Sequence, residues 1–231
     1  MIIVLNNKSN FNKEEFEKYL IELDKIEYDE KFILCPTFMN IPLVNSDKVV
    51  LSSQDVSPYE DGAHTGEVSA RQLKSLGVSY SLVGHSERRL FEIEEEIFGE
   101  IEKLFEYEMI PILCIGETKE ERDNNQTTEV IKNQLESVVN KLNNSEKEKL
   151  IVAYEPRWSI GTNIIPTNEQ IEEVLKLIKE YLPNTKLLYG GSANEENIEI
   201  LKNISLIDGY LLGGLSLHPD KLQTFLEKLK Q

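Results

Sequence analysis

The sequence predicts a closed (β/α)8 barrel formed by a single domain over residues 1–231. Three observations predict it: eight short apolar runs, helical spacing after most of them, and the near-continuous apolar character of the runs. Eight runs in this chain give roughly 29 residues per unit, a workable size for a strand followed by a helix. Strands that are apolar on both faces are typical of parallel sheets whose crossover helices cover both sides.

The eight apolar runs are predicted as strands. They lie at 2–5, 32–35, 49–54, 80–84, 110–116, 150–155, 186–191 and 206–214. An open doubly wound sheet is the other architecture that this alternation allows. The count of eight, and the absence of a Gly-x-Gly-x-x-Gly segment after the first run, favour the closed barrel.

Helical spacing of apolar residues is clear in five segments, at 14–23, 93–106, 129–142, 168–182 and 219–229. Thr167 and Gln170 have the form of a capping box at the start of the fourth segment. Weaker helical patterns occur at 38–44, 69–76 and 194–202. The polar stretches 123–128 and 143–149 are predicted to be connections without regular structure.

Composition excludes several classes of partner. The chain has 41 acidic and 25 basic residues, a net charge of −16, so its surface repels nucleic acids and anionic membranes. Apolar runs stay well short of the roughly 18 residues of a membrane span, and no secretory signal pattern is present. Cys35 and Cys114 lie in apolar runs and are interpreted as packing residues outside any disulfide framework. These features predict a cytoplasmic protein.

Polar residues at the ends of the predicted strands indicate a site. Asn6 and Lys8 follow the first run, His85 the fourth and Glu155 the sixth, while glycine pairs follow the seventh and eighth. Each has an ordinary explanation alone, such as a turn, a structural histidine or a helix cap. Together they place a carboxylate, an imidazole, an ammonium group and main-chain donors for a phosphate on the rim where barrel enzymes hold their active sites.

These motifs resemble those of triosephosphate isomerases, in the same order over essentially the whole chain. The matching segments are NNK (6–8), GAHTGEVSA (62–70), GHSERR (84–89), CIGET (114–118), AYEPRWSIGT (153–162), YGGS (189–192) and DGYLLGG (208–214). GHSERR and the YEP-x-W-x-IGT pattern are highly specific, whereas NNK and the glycine pairs are weak alone. The resemblance implies a TIM barrel enzyme of glycolysis and gluconeogenesis that interconverts dihydroxyacetone phosphate and D-glyceraldehyde 3-phosphate. It implies no cofactor and no metal.

The resemblance also implies a role for each site residue. Glu155 corresponds to the base that moves a proton through an enediolate, and His85 to a neutral electrophile. Lys8 supplies positive charge, Asn6 helps to hold Lys8 and a substrate oxygen, and Glu87 is a supporting partner of Lys8. The phosphate would be bound by main-chain N–H groups of Gly161, Ser192, Gly213 and Gly214, and the PRWSIGT segment would close as a lid. Thr65 lies in the segment that enters the neighbouring subunit, which implies a homodimer.

Three departures from the family pattern concern loops. Arg157 occupies a lid position that is normally small and apolar, 163–166 replaces the usual end of the lid, and His64 stands where an aromatic residue is frequent. Two other functions stay open from the residues: an isomerase acting on a four-carbon ketose phosphate, and a phosphate-binding barrel without catalysis.

Overall fold

The computed structural model describes residues 1–29, 31–162 and 164–231 and contains a closed barrel of eight parallel strands. Each strand pairs with its neighbours in sequence, and β8 closes on β1 with Ile2 opposite Gly209. The predicted fold class is confirmed. The strands are β1 Ile2–Asn6, β2 Phe32–Cys35, β3 Val49–Ser53, β4 Tyr80–Val83, β5 Ile110–Ile115, β6 Ile151–Tyr154, β7 Lys186–Tyr189 and β8 Gly209–Leu212.

Alternate residues of each strand divide between two cores. In β1, Val4 belongs to the core inside the barrel, whereas Ile3 and Leu5 pack in the larger core under the helices. Cys35 and Cys114 are free thiols inside the barrel. Burial raises the pKa of Cys35 to about 12, and a thiol that stays protonated is a poor nucleophile.

Nine α-helices are found in the described chain: α1 Lys13–Leu23, α2 Ala70–Ser75, α3 Glu94–Glu106, α4 Lys119–Asp123, α5 Thr127–Val139, α6 Asn144–Lys149, α7 Asn168–Tyr181, α8 Ile198–Leu201 and α9 Pro219–Lys230. The five clear predictions correspond to α1, α3, α5, α7 and α9. The capping box of Thr167 and Gln170 is present at the start of α7. Short 3₁₀ helices lie at Ile41–Leu43, Arg88–Leu90 and Gly214–Leu217.

Both stretches predicted to be irregular connections contain helical residues. In 123–128, Asp123 ends α4, and Thr127 and Thr128 begin α5. The stretch 143–149 was expected to be an irregular connection, but Asn144–Lys149 is helical because Asn143 caps it. The Asn143 side chain accepts a hydrogen bond from the N–H of Glu146 at 3.0 Å, and the Glu146 carboxylate accepts from the N–H of Asn143 at 2.8 Å. This reciprocal capping satisfies two donors that a short helix otherwise leaves exposed.

The weaker helical patterns give shorter elements than predicted. Within 69–76 the helix α2 spans Ala70–Ser75, 194–202 contain only the single turn of α8, and 38–44 contain only a 3₁₀ turn. Among the described residues, no helix has the length and apolar character needed to cross a membrane. All eight strands point the same way, so the segments that leave their C-terminal ends gather on one side of the barrel.

Candidate active site

A cleft of about 830 Å3 opens on that side of the barrel. Eight residues predicted from the sequence line it: Asn6, Lys8, His85, Glu155, Gly161, Ser192, Gly213 and Gly214. Asn6 ends β1, and the other seven lie in the segments after β1, β4, β6, β7 and β8. These segments are distant along the chain and adjacent only because the barrel closes. The volume is in the usual range for a pocket that binds a small molecule.

Two glycines make room for Glu155, which directly follows β6. A Cβ atom at Gly116 would lie 1.8 Å from the Glu155 carbonyl oxygen, and one at Gly190 would lie 2.9 Å from the Glu155 Cγ. Real Cβ atoms do not approach other heavy atoms so closely. The glycines of the CIGET and YGGS segments therefore let the Glu155 backbone and side chain sit against β5 and β7.

The Glu155 carboxylate contacts His85 and the backbone of the next residue. Its Oε1 lies 3.1 Å from His85 Nε2, and its Oε2 accepts a hydrogen bond from the Ser86 N–H at 3.1 Å. Glu155 is only 2% exposed. The base and the electrophile implied by the resemblance therefore form one buried pair, although 70 positions separate them in the sequence.

The pKa values of this pair move in opposite directions. Burial alone raises the pKa of Glu155, but His85, the Ser86 N–H and Lys8 outweigh it and lower that pKa below its usual value. Burial alone lowers the pKa of His85, but the charge and hydrogen bond of Glu155 outweigh it and raise that pKa. The carboxylate is consequently ionised at neutral pH, as a base must be.

The Nδ1 atom of His85 accepts a hydrogen bond from the Glu87 N–H at 3.2 Å. A backbone N–H needs a lone pair on that nitrogen, so this contact favours the neutral imidazole with its proton on Nε2. The segment after His85 contains one 3₁₀ turn, which begins at Arg88. The neutral histidine is thus favoured by the Glu87 contact and opposed by the charge of Glu155.

Lys8 is held in an unusual backbone conformation. Its φ angle is +51°, a region that few residues other than glycine adopt. The Lys8 N–H donates to Asn6 Oδ1 at 3.0 Å, and its carbonyl accepts from Gln54 Nε2 at 2.8 Å. Its ammonium group lies 2.7 Å from Glu87 Oε1. The structure therefore brings Asn6, Lys8 and Glu87 together, with Asn6 bonding the Lys8 backbone.

The segment 156–162, which the resemblance implies to be a lid, is attached on one side to a buried carboxylate. Glu117, which is fully buried, accepts from Trp158 Nε1 at 3.0 Å and from the Tyr154 hydroxyl at 3.2 Å. Arg122 Nη1 donates to the same carboxylate at 3.1 Å, and the Arg157 N–H donates to the Glu117 carbonyl at 3.0 Å. Glu117 thereby holds the first half of the lid.

On its other side the lid contacts the loop after β7. The Ser192 N–H donates to Ser159 Oγ at 3.2 Å, and Ser192 Oγ donates to the Ser159 carbonyl at 2.5 Å. One of the four main-chain donors predicted for a phosphate is therefore bonded to the lid in this conformation. Gly161 has a φ of +68°, which favours glycine at this turn.

Thr65 lies away from the cleft, on an exposed loop that follows β3. In this loop the ring of His64 stacks on Tyr59, with centroids 4.5 Å apart and an angle of 8° between the planes. The imidazole of His64 thus makes an aromatic contact within this loop. Of the departure at 163–166, Asn163 lies outside the described residues.

Sequence reasoning missed the role of Glu117 and a second group of carboxylates. The signal for Glu117 was available, because the CIGET segment offers one acid and the lid contains an indole N–H that needs an acceptor. The second group consists of Asp55, Glu92 and Glu100, each of which places one carboxylate oxygen within 4.8 Å of those of the other two.

This acidic cluster lies outside the cleft and contains its own cation. Arg88 Nη2 lies 2.8 Å from Asp55 Oδ2, and Arg88 Nε lies 2.5 Å from Glu92 Oε1. Burial, reinforced by the neighbouring acids, raises the pKa of Asp55 to about 7 and that of Glu100 to about 10. At neutral pH a proton on Glu100 and the guanidinium of Arg88 therefore limit the repulsion in the cluster.

Comparison with known proteins gives one consistent result. The sequence profile described as "Triosephosphate isomerase" matches residues 1–229. Proteins named triosephosphate isomerase from Francisella tularensis subsp. mediasiatica and Dictyoglomus turgidum are 34% and 38% identical, over 94% and 89% of this chain and 92% and 89% of their own lengths. One from Mycoplasmopsis agalactiae is 42% identical over 82% of this chain and 76% of its own length.

Proposed function

Because the chain belongs to the triosephosphate isomerase family, we propose that it interconverts dihydroxyacetone phosphate and D-glyceraldehyde 3-phosphate. The observation that carries this proposal is the convergence of Lys8, His85 and Glu155 on one cleft. Moving a carbonyl group by one carbon needs a base, a donor for the developing oxyanion, and a site for the phosphate. The cleft offers a group suited to each.

Glu155 is the proposed base. The carboxylate removes a proton from the carbon beside the carbonyl group, the C–H electrons form the enediolate double bond, and the carbonyl oxygen takes up the negative charge. The hydroxyl proton of the deprotonated carbon then passes to the former carbonyl oxygen. Return of the first proton to the former carbonyl carbon completes the isomerisation, so no oxidant or cofactor is consumed. The lowered pKa of Glu155 supports this role, because the group is ionised at neutral pH.

His85 is the proposed donor to the developing oxyanion. Its Nδ1 accepts from the Glu87 N–H, which leaves the proton on Nε2, the nitrogen that faces Glu155. A donor at this position stabilises negative charge on a substrate oxygen as it forms. When a substrate lies between His85 and Glu155, the carboxylate no longer bonds the imidazole, and the main influence that raises the pKa of His85 is reduced.

Lys8 is proposed to attract and hold the anionic substrate. The chain carries a net charge of −16, so an anion needs a local positive site, and the Lys8 ammonium group is in the cleft. The main-chain N–H groups of Gly161, Ser192, Gly213 and Gly214 are the proposed phosphate donors. Asn6 would contact a substrate oxygen, and Glu87 would orient the ammonium group through its contact of 2.7 Å.

The segment 156–162 is the proposed lid. An enediolate exposed to water would eliminate phosphate, so the reaction needs a closed site. The contacts of Trp158 with Glu117 and of Ser159 with Ser192 support this role, because they attach the lid to two different walls of the barrel. Arg157 and the end of the lid at 163–166 would then affect the rate of lid motion more than the chemistry.

A homodimer is proposed in which the loop that carries Thr65 enters the partner. The exposed apolar side chains of Met39, Leu90 and Phe91, which are 87%, 65% and 80% exposed, support it, because large exposed apolar groups are typical of interaction sites. Sedimentation velocity should give roughly twice the mass of the 26.6 kDa chain. A fully active monomer would contradict this proposal.

We propose that the protein resides in the cytoplasm, because its two cysteines are unpaired thiols. Cys35 and Cys114 are both free, as is usual where thiols are kept reduced. Antibody detection in fractionated cells of the source organism would test this, and recovery outside the cytoplasmic fraction would contradict it.

The proposed reaction is tested by a coupled assay in both directions, with either triose phosphate as substrate. We expect turnover, and competitive inhibition by 2-phosphoglycolate, which resembles the enediolate. A four-carbon ketose phosphate in the same assay distinguishes the related isomerase, which would turn it over better. Binding of 2-phosphoglycolate with no turnover of any of these substrates would indicate the phosphate-binding barrel instead.

A further inference from the structure

Asn7 lies in sequence between two residues that line the cleft, but its own side chain does not line the cleft and makes a buried hydrogen bond. Asn6 and Lys8 line the cleft, whereas the Asn7 side chain is directed to the loop after β8 and is only 1% exposed. Its Nδ2 donates to Ser216 Oγ at 3.3 Å. A buried amide is costly unless it is hydrogen-bonded, so this contact has a definite geometry to maintain.

Ser216 completes the connection between the two loops. It is fully buried, and its hydroxyl donates to the Asn6 carbonyl at 3.0 Å. Its own N–H donates to the Gly213 carbonyl at 2.9 Å. Ser216 therefore bonds the β1 exit with its side chain and the β8 exit with its backbone, and these segments are 210 positions apart in sequence.

The two joined segments carry different parts of the proposed anion site. The β1 exit carries Lys8, and the β8 exit carries Gly213 and Gly214, the proposed main-chain phosphate donors. The Lys8 side chain passes close to this backbone, because a Cβ atom at Gly213 would lie 3.4 Å from Lys8 Cε. Small relative movement of the loops would change the distance between the ammonium group and the main-chain donors, and binding depends steeply on such geometry.

We propose that Asn7 and Ser216 are positioning residues, which set the spacing between the Lys8 ammonium group and the phosphate donors of Gly213 and Gly214. They touch neither substrate nor reacting atoms. The inference rests on the proposed function for the identity of the anion, a phosphorylated triose. It predicts that the pair governs affinity for the anion, while Glu155 and His85 govern the chemical step.

The test compares Asn7→Ala, Ser216→Ala and the double variant with the unmodified protein. We expect each single variant to raise the KM for triose phosphate and the Kd for 2-phosphoglycolate by about five- to tenfold, the loss expected for one hydrogen bond. The kcat should change less than twofold. The double variant should bind 2-phosphoglycolate as weakly as Ser216→Ala and no more weakly, because Ser216→Ala already removes both side-chain hydrogen bonds that join the two loops.

Ser81→Ala is the matched control. Ser81 is also fully buried, and its hydroxyl donates to the carbonyl of Leu82 in its own strand at 3.0 Å. Ser81→Ala removes a hydroxyl group that is as buried as that of Ser216, but this hydroxyl does not join two loops. We expect a loss of thermal stability similar to that of Ser216→Ala, with KM and Kd unchanged.

Two results would overturn the inference. One is a Kd for 2-phosphoglycolate that stays at the wild-type value in both single variants; the other is an equal rise of Kd in Ser81→Ala, which would show general loosening. If Asn7→Ala does not fold, Ser216→Ala decides alone. Wild-type protein that binds 2-phosphoglycolate without isomerising would contradict the proposed function only, whereas wild-type protein that does not bind it would contradict both.

Discussion

Glu155 and Glu100 are equally buried, at 2% exposure each, yet their pKa values move in opposite directions. The pKa of Glu155 is lowered, whereas that of Glu100 is raised to about 10. The first is consequently a carboxylate at neutral pH and the second a carboxylic acid. Burial alone therefore does not decide the charge of an acid in this protein.

The difference lies in the neighbours. Glu155 has the imidazole of His85 and the N–H of Ser86 within 3.1 Å. Glu100 faces Asp55 and Glu92, which raise its pKa further, and the nearby cation of Arg88 is already engaged by these two acids. Buried acids become usable bases only when donors compensate for the lost hydration.

The largest expected effect comes from shortening the base. In Glu155→Asp the carboxylate retracts by about one bond length, and we expect kcat to fall by roughly 100-fold, because a displacement near 1 Å has this cost. The Kd for 2-phosphoglycolate should change far less. Steady-state kinetics measure the loss of kcat. The control is Glu95→Asp, the same substitution at an exposed position of α3. Unchanged turnover would defeat the assignment of Glu155 as the base.

Removal of the His85 imidazole tests whether this neighbour gives Glu155 its lowered pKa. In His85→Gln we expect kcat to fall by about 100- to 1,000-fold through loss of the donor to the oxyanion. Glu155 also loses the main influence that lowers its pKa. The acid limb of the pH profile of kcat/KM should therefore move to higher pH. An acid limb at the wild-type position would show that His85 does not set the ionisation of the base.

Glu100→Gln tests the raised pKa through stability. Between the unfolded pKa near 4.5 and the folded pKa of about 10, the folded state holds a proton that the unfolded state releases. Stability therefore falls as pH rises through this window. We expect the variant to lose less stability than wild type between pH 6 and 8, by about 1–3 kcal/mol, measured by urea unfolding. Parallel curves for the two proteins would contradict the raised pKa.

Glu155→Gln provides the contrasting curve. The lowered pKa of Glu155 contributes stability above its unfolded value, and this contribution is lost as pH falls through the folded pKa. The variant should accordingly differ from wild type in its acid limb, below about pH 4.5. Between pH 6 and 8 the variant should lose less stability than wild type, because the change also removes the main influence that raises the pKa of His85. The acid limb is therefore where its curve contrasts with that of Glu100→Gln.

The smallest expected effect concerns a third buried acid. Glu117 is fully buried and receives donors from Tyr154, Trp158 and Arg122. Trp158→Phe removes one of these donors and keeps an aromatic ring. We expect the free energy of unfolding to fall by about 1 kcal/mol. Urea unfolding monitored by circular dichroism measures this loss. No loss would show that the indole N–H contributes nothing to holding the lid.

The fold could be predicted from the sequence because each strand and helix of the barrel has its own local pattern of apolar residues. Eight apolar runs with intervening helical spacing predicted the strands, and the rule that active sites lie at the strand ends placed Lys8, His85 and Glu155 on one rim. The structure confirms the barrel and brings these three residues to a shared cleft. Their catalytic roles stay predictions.

Several features could not be predicted because they depend on contacts between distant segments. The cluster of Asp55, Glu92 and Glu100 joins a loop after β3 to the segment around α3, and nothing in its spacing indicates proximity. The docking of Ser159 on Ser192 likewise depends on how two loops meet. Helix α6 was predictable in principle from its Asn-x-x-Glu cap but was read as a polar connection.

Gly116 has a consequence for how freely this protein can vary. Any side chain there would collide with the Glu155 main chain, because its first carbon alone would lie 1.8 Å from the Glu155 carbonyl oxygen. That backbone is held in place directly after β6, where the Glu155 N–H donates to the Ile115 carbonyl at the end of β5. Adjustment would have to push β5 and β6 apart and carry the carboxylate with them. The position of the Glu155 carboxylate therefore depends on the absence of a side chain at residue 116. Saturation mutagenesis at this residue should recover only glycine in active protein.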